Sequence, residues 1–340
     1  MLKTIETFIS KIAENDKDSC FIYVDGLILD SLLEVEKKYP NRVIRGGISE
    51  QNVISMATGM ALTGKTVYVF MLSAYATRRA LDQLTFAGYC QADIKVIAYL
   101  ASLSVPYAGF SHTNIDDVSN CINIPNLEIF NPCSVAEIKS VMEGMHKSKK
   151  PSILFFDNRG CPAPDCYIKY GYITKMENGL SSNCCIITSG FACSFLYDAW
   201  SILHKLRNNG VDPSVYTIHR LKPINEEEIL NILKKYKKVV TFEIRGKGAI
   251  SSIISEILSK NNISAKLLPI YIKDEKFDVM GECVYVAAKY LRLNETIKEI
   301  VKFIQCNRLL KFKYREKNGI GVLKTKLFGL TVYKKIKKVS

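Results

Sequence analysis

The stretch RVIRGGISEQNVISMATGMALTGK, residues 42–65, ends an apolar strand in two glycines and then sets a carboxylate, Glu50, at the mouth of a strongly apolar helix. A carboxylate there has two uses. In the first turn of a helix it meets the partial positive charge of the unpaired N–H groups, and Ser49 before it is a residue type that caps them. At the carboxyl end of a strand in an open α/β sheet it would instead face the crevice where ligands sit, with Gly46 and Gly47 permitting close backbone approach. Desolvated there against an apolar cofactor, it would suit proton exchange. The local residues leave both uses open.

The elements that must position Glu50 follow from the rest of the chain. Short β-branched and aromatic runs at 21–25, 66–70, 95–99, 127–130 and 152–156 read as buried strands. Helix-period patterns at 49–62, 76–90, 114–123 and 134–147 alternate with them, the pattern of a parallel sheet covered on both faces. A second series follows a Pro-, Gly- and Ser-containing connection. Its strands are expected at CCIITS, SVYTIH, KVVTFE and AKLLPI, and its helices near 192–208, 225–235, 248–259, 283–291 and 295–304. The expected fold class is therefore α/β: two three-layer domains, each with a mostly parallel sheet covered by helices. We place them at 1–165 and 183–305, with a linker over 166–182 and a basic tail over 306–340.

With 340 residues, 48% hydrophobic and 24% charged, the chain can bury a proper core in each domain and is not disordered. The opening MLKTIETFISKIAEND reads as an amphipathic helix with acids among its lysines, not as a secretory signal, and CCIITSGFACSFLYDAW is broken by Gly190, hydroxyls and Asp198. A soluble cytoplasmic protein is expected. The 11 cysteines are scattered without a CxxC, which favours reduced, mostly buried thiols over a disulfide framework or a metal site. Charge is uneven: residues 308–340 hold 11 Lys plus Arg against one acid, Glu316, and so carry +10 of the formal +14.

GGISEQNVISMATGMALTGKTVYVF resembles the Gly-Ile-Ala-Glu-Gln-Asn motif of transketolases. The similarity continues in order through YATRRALDQL, GFSHTNIDD, IPNLEIFNP, PSILFFDNRG and HRLKPINEEEI, over roughly residues 5–304. The resemblance implies a thiamine diphosphate enzyme whose first domain binds the cofactor's pyrimidine and whose second is the family's carboxyl-terminal domain. Glu50 falls on the glutamate that protonates the aminopyrimidine, so that the ring can remove the thiazolium C2 proton. Tyr75 falls on an aromatic that contacts the pyrimidine, and Leu72 takes the place of a packing Phe in the cofactor site. His112 falls on the histidine that faces the substrate, where an imidazole exchanges protons with sugar hydroxyls. Arg159 falls on an arginine for the substrate's phosphate; a salt bridge to Asp157 or Asp165 is its plainer use.

Departures from the family are equally informative. Leu100 stands where transketolases place a histidine, and Ala108 where they place an aspartate that accepts from the donor sugar's hydroxyl. Tyr107 and Phe110 make the same loop more aromatic, which points to a donor other than the ordinary one. The family's other half, which holds the diphosphate and a divalent metal through Gly-Asp-Gly and downstream asparagines, has no counterpart: the chain contains no Gly-Asp dipeptide, and its nearest candidate is VDG at 24–26. The resemblance therefore implies a separate partner chain, an amino-terminal transketolase subunit holding Mg2+ or another divalent ion, in an α2β2 assembly. No metal ligand is assigned to this chain.

A 2-oxo acid dehydrogenase β subunit would share Glu50 and both domains, but the LKPI and SHTNIDD blocks favour the transketolase side. A non-catalytic binding protein working through its tail is the third reading, and Glu50 argues against it. The tail interleaves Lys and Arg with Phe, Tyr, Leu and Ile, which would suit an anionic membrane surface, a solvated extension or, less well, nucleic acid. Its ending, KLFGLTVYKK, is similar to tails of bacterial capsule and lipopolysaccharide sugar enzymes, which points to surface-polysaccharide sugar chemistry.

Overall fold

The computed structural model describes residues 1–24, 30–161, 168–181, 183–197, 202–276 and 281–305, and the backbone of 311–317, 320–327 and 330–337. Asp25 and Gly26 of the VDG stretch, Asp165, residues 166, 167 and 182 of the expected linker, and residues 198–201 of the expected helix 192–208 lie outside them.

The first sheet has seven strands: β1 (Ser19–Tyr23), β2 (Val43–Arg45), β3 (Thr66–Leu72), β4 (Ile94–Tyr99), β5 (Glu128–Phe130), β6 (Ser152–Phe156) and, from far along the chain, β10 (Arg220–Lys222). Their order is β10-β5-β6-β4-β3-β1-β2, and every pair is parallel except β10 with β5. Alternate residues of each strand enter opposite cores, as a pleat requires. Val67, Val69 and Met71 join Ile22, Val96 and Phe155 on one face, under the helix Glu50–Leu62. Tyr68 and Phe70 join Phe21, Ile97 and Leu154 on the other, under helices Leu2–Asn15 and Val135–Lys147.

The second sheet contains β7 (Thr174–Glu177), β8 (Cys184–Thr188), β9 (Ser214–Thr217), β11 (Lys238–Phe242) and β12 (Lys266–Ile270), ordered β12-β11-β8-β9-β7 with only β7 antiparallel. One of its faces packs under helices Phe191–Tyr197, Ile202–Asn208 and Leu293–Gln305. The other shares a continuous apolar cluster with the first sheet through Ile187, Val239 and Ile250. Two strands of these two sheets were not expected: β7 lies within the span read as linker, and β10 was hidden in the Arg-Leu-Lys that precedes Pro223.

The tail differs from an extension. Its backbone forms a third, separate sheet of antiparallel strands β13 (Lys311–Lys317), β14 (Ile320–Leu327) and β15 (Leu330–Lys337). Among the described residues, no helix is long and apolar enough to cross a membrane.

Candidate active site

The residues singled out from sequence follow the carboxyl ends of parallel strands of the first sheet: Glu50 after β2, Tyr75 after β3, His112 after β4 and Arg159 after β6. That edge of an open parallel sheet is where the fold offers a crevice.

Glu50 opens its helix on the buried side. Val53, Ile54, Ala57 and Ala61, spaced to share one helical stripe with it, are all buried against the sheet, and Glu50 itself is only 6% exposed. A carboxylate serving only the helix dipole would have no reason to take the core-facing stripe. Ser49 occupies the cap position, yet its hydroxyl makes no capping bond and donates instead to the Gly46 carbonyl at 2.6 Å, so the expected Ser49 cap is corrected to a turn lock. The glycine pair is needed by geometry: a Cβ on Gly46 would lie 2.3 Å from Val53 Cγ2, and Gly47 has φ +60°.

After β3 the chain enters a π-helical turn, Tyr75–Arg79, a local widening often found at functional sites. It brings Arg79 back toward Glu50, and Arg79 Nη1 donates to Glu50 Oε1 at 2.8 Å while its guanidinium lies 4.0 Å from the Tyr75 ring centre. Among the described residues this is the sole hydrogen bond to the Glu50 carboxylate, so Oε2 is open to another partner. The Tyr75 hydroxyl lies 3.0 Å from His112 Nε2 with the rings edge to face, and Ser111 Oγ lies 2.7 Å from His112 Nδ1. Glu50, Arg79, Tyr75, His112 and Ser111 thus form one contiguous polar chain. Because each ring nitrogen of His112 faces a hydroxyl, either tautomer is satisfied.

The loop carrying His112 is fixed at both ends. Arg78 donates to the carbonyls of Phe110 and Thr113 at 3.0 and 2.9 Å and grips Asp116 with two nitrogens at 2.6 and 3.2 Å. Buried Asn114 donates to Thr77 Oγ1 at 2.6 Å and Ser73 Oγ at 3.1 Å, tying the loop to the π turn. Leu100 and Ser102 have φ of 55° and 60°, a left-handed backbone that a branched Leu rarely adopts. Ala108 ends a short 3-10 turn, Pro106–Ala108, and Tyr107 and Phe110 beside it are 68% and 62% exposed. Leu72, half-buried, pairs in register with Tyr99 at the ends of β3 and β4.

Arg159 stands apart from that chain. Its Nε and Nη2 grip Asp157 at 2.8 and 2.7 Å, Nη2 also reaches the Ser104 carbonyl at 3.0 Å, Nη1 donates to Cys283 Sγ, and the guanidinium stacks 4.3 Å from the Phe191 ring centre. The fork that a phosphate would take is held by Asp157, the partner named from sequence as its plainer use.

Arg79 and Arg78 are the site residues that sequence reading missed. Both stood in YATRRALDQL, and Arg79 lies four residues after Tyr75, the spacing that stacks neighbours on a helical face. Also unanticipated is a buried seam between the sheets: Arg245 Nε and Nη2 grip Asp117 at 2.8 and 3.1 Å, and Nη1 donates to Asn131 Oδ1 at 3.1 Å. Nothing in their sequence spacing announces that pair, 128 residues apart. Among the described residues no cluster of His, Cys, Asp or Glu could hold a metal, and the nine cysteines described, of the chain's 11, form no disulfide, seven of them being buried.

The family profile of the transketolase pyrimidine-binding domain matches residues 11–162, and that of the transketolase carboxyl-terminal domain matches 175–281. The chain is 25% identical over 305 residues to the 6-deoxy-6-sulfo-D-fructose transketolase subunit SqwH of a Clostridium species, covering 87% of this chain and 92% of that one. It is 22% identical over 274 residues to an apulose-4-phosphate transketolase subunit of Phocaeicola vulgatus, covering 79% and 86% respectively. Among solved structures, a split gene transketolase described as an inactive beta4 tetramer superposes with a TM-score of 0.72 at 20% identity, over 88% of this chain and 97% of the other. The two domain matches together span more than half of the chain: the chain belongs to the transketolase family.

Proposed function

We propose that this chain is the pyrimidine-binding subunit of a two-chain transketolase, which moves a two-carbon ketol unit between sugar phosphates or related sugars and works with a partner chain that holds the diphosphate and its Mg2+, in an α2β2 assembly. The observation that carries this reading is the placement of Glu50 on the buried stripe of its helix, with one oxygen fixed by Arg79 and the other open. A carboxylate, an aromatic ring and an imidazole fit an uncharged heteroaromatic ring and a polyhydroxylated substrate; they do not fit a metal diphosphate, which is the share assigned to the partner. When bound, thiamine diphosphate supplies the electron sink for the cleaved fragment.

The chain's own residues have divided tasks. Glu50 Oε2 holds the proton shared with the pyrimidine nitrogen, while Arg79 keeps the carboxylate from turning away. Tyr75 packs beside the pyrimidine and, through its hydroxyl, orients His112. His112 passes protons to and from sugar hydroxyls, and the exposed Ser111 is the neighbour that a substrate hydroxyl displaces from Nδ1. Leu72 fills the cofactor side of the crevice. Arg159 draws the substrate's phosphate once Asp157 releases one edge of its fork. Leu100 and Ala108 shift donor choice away from the ordinary ketose phosphate, in keeping with a specialised sugar pathway such as surface-polysaccharide synthesis.

The test is reconstitution. The purified chain should show negligible thiamine diphosphate binding by calorimetry and no ketol transfer, and both should appear when a chain carrying the Gly-Asp-Gly half is added with magnesium. Tight cofactor binding by the isolated chain would overturn the two-chain reading.

A further inference from the structure

The register of the carboxyl-terminal sheet sorts its residues by chemistry. On β13, Lys311, Lys313, Arg315 and Lys317 alternate along one face. The pairing sets Lys326 opposite Lys311 and Lys324 opposite Lys313, and β15 adds Lys335 and Lys337 to the same face. Eight of that face's twelve positions are therefore cationic. The opposite face is mostly apolar, with Phe312, Tyr314, Leu323, Val332 and Ile336 among its eleven positions.

Lysines on edge strands are a common guard against edge-to-edge pairing. That need does not account for Lys324 and Lys326 on the central strand, nor for two Lys–Lys pairs directly opposite one another, which destabilise a sheet standing in water. Such a face requires anions, and the other requires cover. A nucleic acid meets the first need and leaves the second. A bilayer interface meets both, because side chains reach about 5 Å to either side of a sheet and the headgroup layer is about 5–7 Å deep. With the apolar face at the acyl boundary, the basic face would lie level with the phosphates, as the two faces of amphipathic interfacial helices do.

We propose that residues 311–337 form an interfacial sheet that holds this protein on an anionic bilayer, apolar face down. The experiment uses the full chain with its single tryptophan removed by W200F and one tryptophan restored at adjacent positions of β14, L323W on the apolar face or V322W on the basic face. Vesicles are equal parts phosphatidylglycerol and phosphatidylcholine, or phosphatidylcholine alone, with acyl chains brominated to quench tryptophan. Thermal melts matched to the parent chain establish that each variant is folded.

Partition onto the anionic vesicles, weakening as salt rises, with strong quenching of L323W and little of V322W, is the expected result. The triple variant K313Q/K324Q/K335Q should lower that partition by about a hundredfold. Equal quenching at the two positions, equal partition onto both vesicle types, or partition indifferent to the triple variant would overturn the proposal. So would retention on a DNA duplex without vesicle partition, which would assign the basic face to nucleic acid.

Discussion

The two parallel sheets present the same kind of edge, loops at strand carboxyl ends, and use it in opposite ways. After β2, β3 and β4 the polar groups form a chain that reaches solvent: the Arg79 side chain is 46% exposed while gripping Glu50. After β8 and β11 the corresponding groups are sealed. Arg245 is 4% exposed and bonds Asp117, fully buried in the segment after β4; Ser189 donates to Asn131, just after β5, at 2.9 Å; and the Glu243 carboxylate accepts from the Ile250 and Ser251 N–H groups at 2.9 Å each. Burial pushes the Glu243 carboxyl above the usual range, although Arg245 and those two N–H groups draw it down. One edge has bonding capacity left for a ligand; the other has used its capacity to join the sheets. A shared fold therefore does not imply shared chemistry, and unfilled hydrogen-bonding capacity is the better guide to where chemistry occurs.

The sharpest way to break this contrast is to remove one group from each edge. Glu50→Gln keeps shape and helix position but cannot cycle a proton, so kcat/KM of the reconstituted pair should fall by about a thousandfold or more with the melting temperature unchanged. Near-normal turnover would return Glu50 to helix-dipole duty. At the seam, Arg245→Met strands a buried carboxylate at Asp117 and should cost about 3–5 kcal/mol of stability in denaturant unfolding. Activity per folded molecule should be little altered. A large activity loss with unchanged stability would show that the seam takes part in catalysis.

Weaker perturbations sharpen the open edge. Arg79→Met removes the clamp on Glu50 and should lower kcat by about ten- to a hundredfold, and Tyr75→Phe, which loses the bond to His112, by about tenfold with a displaced pH profile. Equal effects on kcat and KM from Tyr75→Phe would instead point to a packing role. Arg159→Gln should raise KM about tenfold for phosphorylated donors and leave hydroxypyruvate unaffected. An equal change for both donors would confine Arg159 to its bond with Asp157.

Much of this was legible in the chain because local pattern and tertiary role coincide there. The strands at 66–70 and 152–156 are apolar runs that remain buried on both faces, whereas the residues around Glu50 left its two uses open and only the docking of the helix on the sheet turns the acid inward. What was hidden depends on distant partners. The β10 strand is three residues long and exists because it pairs with β5, some ninety residues earlier. Asp117 and Arg245 each resemble ordinary loop charges until the two sheets meet. Ser49 illustrates the limit of local rules: a good capping residue is diverted to Gly46 because the tight glycine turn offers a nearer acceptor. Arg159 shows the same competition, a phosphate-type arginine whose fork a neighbouring aspartate has taken.

The smallest expected effect tests the loop that departs most from the family. Leu100 holds a strained left-handed backbone at the end of β4, and Ala108 closes a short turn between the exposed aromatics Tyr107 and Phe110. Strain of this kind persists only where the surroundings impose it, here through Arg78 and Asn114 clamping the far end of the loop. Because that frame is independent of residue 108, Ala108→Asp should change recognition without moving His112. A charged acceptor facing a donor hydroxyl is worth about 1.5–3 kcal/mol when buried, and half-exposure at this position reduces it to about 1 kcal/mol, a fivefold change. The expected outcome is a rise of about fivefold in the kcat/KM ratio of xylulose 5-phosphate over hydroxypyruvate, with hydroxypyruvate itself unchanged because it lacks the hydroxyl at issue. The parent pair should handle xylulose 5-phosphate poorly in the same panel. Efficient use of xylulose 5-phosphate by the parent, with no gain from the aspartate, would mean that the exposed aromatic pair or another residue governs donor choice and that the loop's lost acid carries no specificity.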